Sequence, residues 1–156
     1  MRIRVIAVGR RVPQWVGEGF TDYARRLPST LRITLREVQP GPRESVRRGG
    51  QAVEIERDRL LGEVRADDFV VTLDEHGREL TTLELATWLG ERMRDGRDVA
   101  FVVGGPDGLA PAVLERSDFS WSLSRLTLPH ALVRVVLAEQ LYRAHTVLTG
   151  HPYHRE

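Results

Sequence analysis

Residues 99–108 read VAFVVGGPDG: five apolar residues run straight into a turn with glycine at 104, 105 and 108. No polar residue interrupts Val99–Val103, so a strand here is covered on both faces, as the strands of a parallel sheet are. A second run of this kind, FVVTL at Phe69–Leu73, is bounded by acids. Between the two, Thr81-Thr82-Leu83-Glu84 has capping-box spacing and opens a helix to about Arg94, which Asp95-Gly96 stops. Strand, helix and strand in this order argue for an α/β domain with a largely parallel sheet. Glycines after a buried strand let the backbone approach a ligand closely, with no Cβ in the way. The turn is not a phosphate-binding P-loop, since the Lys and the following Ser/Thr are absent, and it lacks G-x-G-x-x-G spacing.

Moving outward, Arg2–Val8 alternates arginine with Ile or Val, the pattern of a half-buried strand. Pro13–Leu27 carries Trp15, Tyr23, Ala24 and Leu27 at helical spacing, and Leu31–Val38 alternates again. After Pro40-Gly41-Pro42, residues 44–64 read as a charged helix with Val46, Val53, Leu60, Leu61 and Val64 inward and Gly49-Gly50 as an interruption. Pro111–Arg116 is a short helix and Phe119–Leu126 a weak strand, after which Ser124 or Thr127 can cap the next helix. His130–Leu148 is the strongest helix, with Leu132, Val136, Ala144, Val147 and Leu148 near one face. The expectation is one domain over residues 1–156, with about five strands and five helices. Ligands of such sheets bind beyond the C-terminal ends of the strands, which directs attention to the loops after Leu73, Val103 and Leu126.

A chain of 156 residues, 41% hydrophobic and 29% charged, has an ordinary globular balance, which excludes a disordered or fibrous chain. The absence of cysteine excludes a disulfide scaffold, a thiolate metal site and a thiol nucleophile. No His/Asp/Glu pattern suggests a metal, no apolar run approaches a membrane span, and no signal peptide opens the sequence, so a cytoplasmic protein is expected. Net charge is +1, but residues 1–50 hold eleven arginines against four acids, and the remainder is acidic. Guanidinium groups fork onto phosphate oxygens, so this end suits nucleic acid; a solvated surface balanced by nearby acids fits equally well. The last six residues, His151-Pro152-Tyr153-His154-Arg155-Glu156, concentrate side chains suited to stacking, phosphate contact and proton transfer.

Three segments taken together, RIRVIAVGR at the start, FVVGGPDGL (Phe101–Leu109) and LSRLTLPHALVRVVLAEQLYRAHTVLTGHPYHRE (Leu123–Glu156), resemble the ribosomal large subunit methyltransferase H family of SPOUT methyltransferases. The resemblance covers nearly the whole chain. It implies an α/β knot: a mostly parallel sheet of about five strands, helices on both faces and a C-terminal trefoil knot. It implies S-adenosylmethionine as cofactor and N3 of pseudouridine 1915, in helix 69 of 23S rRNA on the assembled ribosome, as target. It further implies a homodimer with no membrane partner. By analogy Leu73, Gly104 and the run Leu123, Ser124, Arg125, Leu126, Thr127 and Leu128 line the cofactor, joined by Gly105 and Gly108 of the same turn. An imide N3 must lose its proton before it attacks, so a base or a cation that stabilises the anion is needed. His154 and Arg155 are the leading candidates, Tyr153 a stacking or positioning residue, and Glu139 the alternative base. Arg4, Arg10, Arg11, Arg47 and Arg48 are expected on rRNA phosphates. Two competing readings stand beside this one: a SPOUT methyltransferase acting on another rRNA or tRNA base, and a cofactor-free RNA-binding factor.

Overall fold

The computed structural model describes residues 1–42 and 49–155. Strand β1 (Arg2–Val8) leads through helix α1 (Gln14–Ala24) and a 3-10 turn at Ser29–Leu31 to β2 (Arg32–Val38). Helix α2 (Gly49–Glu63), β3 (Phe69–Glu79), α3 (Thr82–Asp95) and β4 (Val99–Val103) follow. The chain then forms α4 (Pro111–Arg116), β5 (Phe119–Ser122), α5 (His130–Thr149) and a closing 3-10 turn at Pro152–Arg155. All five strands are parallel, in the order β2-β1-β4-β3-β5. The central strand β4 is buried at every position, as its uninterrupted apolar run requires.

Alternate residues of the strands feed two cores. Ile3, Val5, Ala7, Phe101 and Trp121 pack with Leu85 and Leu89 of α3 and Leu137, Leu141 and Ala144 of α5. Ile6, Val8, Val70, Ala100 and Val102 pack with Leu60 of α2 and Val113 of α4 on the other face. Helix α3 starts with the expected capping box, Thr81 and Glu84 each accepting from the other's backbone N–H, and ends at Gly96 in the left-handed conformation (φ 80°).

Four expectations change. Strand β3 runs six residues beyond Leu73, through a register shift against β5 between Leu73 and Arg78. Gly77 makes this extension possible: a Cβ there would lie 2.7 Å from the backbone of Ser120 and Trp121. Gly49-Gly50 are helical residues of α2 (Gly49–Glu63), not an interruption of it, and Val46 lies outside the described residues. Helix α5 buries Arg134, Leu137, Ala138, Leu141, Ala144 and Thr146, whereas Leu132 and Val136 are half-buried and Leu148 is exposed. Finally, Pro129 precedes α5 and no side chain caps it; the Ser124 hydroxyl instead accepts from the N–H of Leu126 within the preceding loop.

The inward charge on α5 has a clear cause. Arg134, fully buried, donates to the carbonyls of Val8 (2.9 Å) and Gly9 (2.8 Å) and pairs with Glu37 at 2.7 Å. Carbonyls at the end of β1 need donors once the helix covers them, and Arg134 supplies them. Gly9, at φ 115°, leaves room: a Cβ would sit 3.1 Å from the guanidinium. The start of α5 is thereby fixed over the C-terminal end of the sheet. Among the described residues, no helix is long and apolar enough to cross a membrane.

Candidate active site

A cleft of about 390 Å³ opens beside the register shift of β3 at Leu73 and beyond the C-terminal ends of β4 and β5. Leu73 forms one wall, the turn from Gly104 to Gly108 a second, and Leu123, Ser124, Leu126, Thr127 and Leu128 a third. The loops expected to carry chemistry therefore meet at one place. Arg125 does not join them: it is exposed and outside the lining. His130 and Val133, from the first turn of α5, close the inner end.

The two loops hold their own shape. Gly108, at φ 77°, donates its N–H to Gly105 O at 3.1 Å, closing a tight turn. A Cβ on Gly104 would meet Gly108 O at 2.9 Å and Leu109 at 3.1 Å, so that position accepts no side chain without moving the turn. Across the cleft, the Ser122 hydroxyl donates to Ser124 O at 3.1 Å, and the Ser124 hydroxyl accepts from Leu126 N–H at 2.9 Å. These bonds present backbone groups and apolar faces; Leu126, 76% exposed, stands at the lip. Among the described residues there is no group of His, Asp or Glu side chains that could hold a metal ion.

The tail lies elsewhere. Gly150, at φ 70°, ends α5, and His151 N–H returns to Thr146 O at 3.0 Å, so the last residues fold back along the helix. The Tyr153 hydroxyl donates to Glu139 at 3.0 Å, and its ring lies 4.7 Å from Tyr142 and under the Arg143 guanidinium at 4.6 Å. Burial, with hydrogen bonds to Tyr23 and Glu139, pushes the Tyr153 hydroxyl well above the usual tyrosine range. It is a fixed donor at any working pH. Glu139 also accepts from Arg143 at 2.8 Å and from Gln140 at 2.7 Å. Glu139, expected as the alternative base, thus receives three donors and ties the tail to α5.

His154 Nδ1 lies 2.6 Å from His151 O, a carbonyl that can only accept, so the neutral ring that fits this contact is the tautomer with its proton on Nδ1. His151 Nδ1 in turn accepts from Tyr153 N–H at 3.2 Å. Arg155 is exposed. None of Tyr153, His154 and Arg155 lines the cleft of the same chain. Glu139 is nine residues beyond His130 on α5, roughly 13 Å along the axis at about 1.5 Å per residue.

The basic residues divide too. Arg10 and Arg11 are exposed and leave the sheet directly after Gly9, beside the start of α5. Arg4 does not belong with them. Its guanidinium pairs with Asp68, 2% exposed, and donates to Glu63 O at 2.7 Å, so it closes the opposite half of the sheet instead of facing phosphate. Arg47 and Arg48 lie outside the described residues.

A sequence model described as "Predicted SPOUT methyltransferase" matches residues 1–154. The chain belongs to the SPOUT methyltransferase family. Within it, proteins named ribosomal RNA large subunit methyltransferase H from Burkholderia mallei (strain SAVP1) and Burkholderia pseudomallei (strain K96243) are 48% identical over 155 residues, 99% of each chain. This chain belongs with them. The fold recurs in a probable methylase family protein from Haemophilus influenzae Rd KW20, with a TM-score of 0.56 and 14% identity over 96% of this chain and 69% of that one. It recurs again in a probable methyltransferase from Bordetella pertussis Tohama I, with a TM-score of 0.54 and 20% identity over 91% and 95%. The enzyme is a methyltransferase, and the methyl donor of the family is S-adenosylmethionine.

Sequence reasoning missed three features of this SPOUT methyltransferase. Arg134 was readable, because Arg134, Leu137, Ala138 and Leu141 follow i, i+3, i+4, i+7 spacing and put a charge on the inward face. The Tyr153–Glu139–Arg143 cluster combines an i,i+4 pair with a residue ten positions further on, which no local pattern links. Asp74 and Glu75 line the cleft directly after Leu73, on the part of β3 that the apolar run does not mark.

Proposed function

We propose that this enzyme methylates N3 of pseudouridine 1915 in helix 69 of 23S rRNA, on the assembled ribosome, as a cytoplasmic homodimer of one-domain chains. The observation that carries the target is the 48% identity, over 99% of both chains, to proteins named ribosomal RNA large subunit methyltransferase H. The residues of the cleft fit S-adenosylmethionine: Leu73, Leu126 and Leu128 offer apolar faces for an adenine, and the turns at Gly104, Gly105, Gly108 and 123–128 offer backbone groups to read its edge. When bound, it supplies a methyl group activated by a sulfonium. The C-terminal segment that builds the cleft is read as the trefoil knot of the family.

What the chain must add is orientation and removal of one proton. Orienting an in-line attack is worth up to roughly 7–11 kcal/mol in favourable cases. His154 Nε2, free because Nδ1 is committed to His151 O, takes the N3 proton. Arg155 stabilises the resulting anion, and Tyr153 anchors the segment through Glu139. The tail sits well away from the cleft of its own chain, which supports a dimer in which the tail and basic edge of one protomer serve the cleft of the other. Arg10 and Arg11 contact rRNA phosphates in this reading.

Mass spectrometry of 23S rRNA from cells lacking the protein tests the target. The expected result is loss of a single methyl group at pseudouridine 1915, restored by the wild-type gene. A methyl group lost at another rRNA or tRNA position moves the target and leaves the chemistry.

A further inference from the structure

The chain contains 23 basic residues other than histidine, all of them arginine. None is among the described residues that line the cleft. The ionisable lining there is Asp74, Glu75, Asp107 and His130. Among the described residues, the lining of this cleft in an arginine-rich protein thus holds three carboxylates and no guanidinium.

The backbone that carries Asp74 and Glu75 is held in place. They follow Leu73, where β3 shifts register against β5, and the shift is locked two residues later by Gly77, whose missing Cβ lets it touch the backbone of Ser120 and Trp121. Asp74 Oδ1 accepts from His76 N–H at 3.3 Å. Glu75 lies 3.4 Å from the His76 ring, but both side chains are mostly exposed, so that contact is screened by water. The neighbouring walls are apolar, with Leu73, Val103, Trp121 and Leu123 beside the carboxylates. Low-dielectric walls sharpen the field of a charge at the rim.

We propose that Asp74 and Glu75 are charge-selecting residues that favour the sulfonium form of the ligand over its neutral thioether product. This rests on the reading that the cleft holds S-adenosylmethionine. The sulfonium, ammonium and carboxylate of that molecule sum to one positive charge, whereas S-adenosylhomocysteine carries none. Two carboxylates at the mouth attract the first and are indifferent to the second. The loss of charge that accompanies turnover therefore weakens binding of the product and promotes its release. The same carboxylates repel adenine nucleotides, whose phosphates would enter a cleft with no guanidinium in its described lining.

Calorimetry on the full chain tests this with three probes: S-adenosylmethionine, S-adenosylhomocysteine, and sinefungin, which places an amine where the sulfonium stands. The variants are Asp74→Asn, Glu75→Gln and the pair, each checked for an unchanged thermal melt. Affinity for S-adenosylmethionine and sinefungin should fall roughly three- to tenfold per carboxylate neutralised, while affinity for S-adenosylhomocysteine stays within about twofold. If all three ligands weaken together, or none changes, the carboxylates do not select charge. The cleft itself is tested separately by Gly104→Val: normal S-adenosylmethionine binding in that folded variant removes the site, and with it the ground for the proposal.

Discussion

The cleft at the start of α5 and the tail at its end belong to one helix, yet they are organised by different parts of the chain. The cleft is shaped by backbone: a glycine turn closed by Gly108 N–H on Gly105 O, and a facing loop tied by Ser122 and Ser124. The tail is shaped by side chains: Tyr153 on Glu139, Arg143 over the Tyr153 ring, and His154 on the His151 carbonyl. A backbone site tolerates many neighbouring substitutions but no added Cβ at its tight point. A side-chain site fails by loss of single polar groups while the fold remains. Binding and proton removal should therefore be separable by mutation.

The strongest way to break this contrast is to delete residues 151–156. Methyl transfer should be abolished while S-adenosylmethionine binds with wild-type affinity, measured by calorimetry. Because the segment buries no whole residue, the stability cost should be on the order of 1–2 kcal/mol, from one aromatic pair and its hydrogen bond. A truncated protein that methylates rRNA at near wild-type rate removes the tail from the chemistry. Equal loss of stability and cofactor affinity would show the tail to be merely packing.

Next in size, Gly104→Val should weaken S-adenosylmethionine binding at least tenfold, about 1.4 kcal/mol. The first added carbon would already meet Gly108 O at 2.9 Å. Circular dichroism should report an intact fold, since the turn lies outside both cores.

Glu139→Gln sharpens the comparison from the tail side. It keeps shape but removes the charge that Arg143 and Tyr153 share, so kcat should fall several-fold with cofactor affinity unchanged. The same variant should lower the Tyr153 pKa, visible as tyrosinate absorbance appearing at lower pH. In the wild type, burial first and then the hydrogen bonds to Tyr23 and Glu139 raise that pKa. The folded state thus holds the proton more tightly, and the anchor's contribution is complete below the ordinary tyrosine pKa of about 10 and lost as pH rises above it. An unchanged tyrosinate titration in Glu139→Gln would deny that the carboxylate sets the anchor.

The smallest effect is expected at the basic edge. Arg10→Ala with Arg11→Ala should reduce the log–log salt slope of RNA binding by roughly 0.7–0.9 for each phosphate that the protein no longer neutralises. An unchanged slope would mean that neither arginine touches phosphate.

Strand β4 could be read to the residue and helix α3 to within one, because their signals are local: an unbroken apolar run at Val99–Val103, and a capping box with a glycine stop. The bounds of β1 were read correctly, but not its burial: Val5–Val8 is buried on both faces, where alternation predicted a half-buried strand. The loops that meet at the cleft were readable too, since a parallel sheet directs its loops to one end, while the individual lining residues were expected from the resemblance. The buried face of α5 was not. Apolar counting chose Leu132, Val136, Ala144, Val147 and Leu148, of which only Ala144 is fully buried, because the helix is rotated so that Arg134 reaches the carbonyls ending β1. Composition grouped Arg4 with Arg10 and Arg11, although a buried carboxylate claims only the first.

By itself, the sequence determined the parallel α/β architecture, the loops that meet at the cleft, the family and its cofactor. All of these are written in short-range patterns or in long runs of matched residues. Only the tertiary structure decided which charges are inside, where β3 ends, and that the tail folds onto Glu139 away from the cleft of its own chain. Each of these depends on a partner distant in sequence: Arg134 on Val8, Gly77 on Ser120, Tyr153 on Tyr23. A hydrogen bond or a close backbone approach of that kind leaves no periodicity to read.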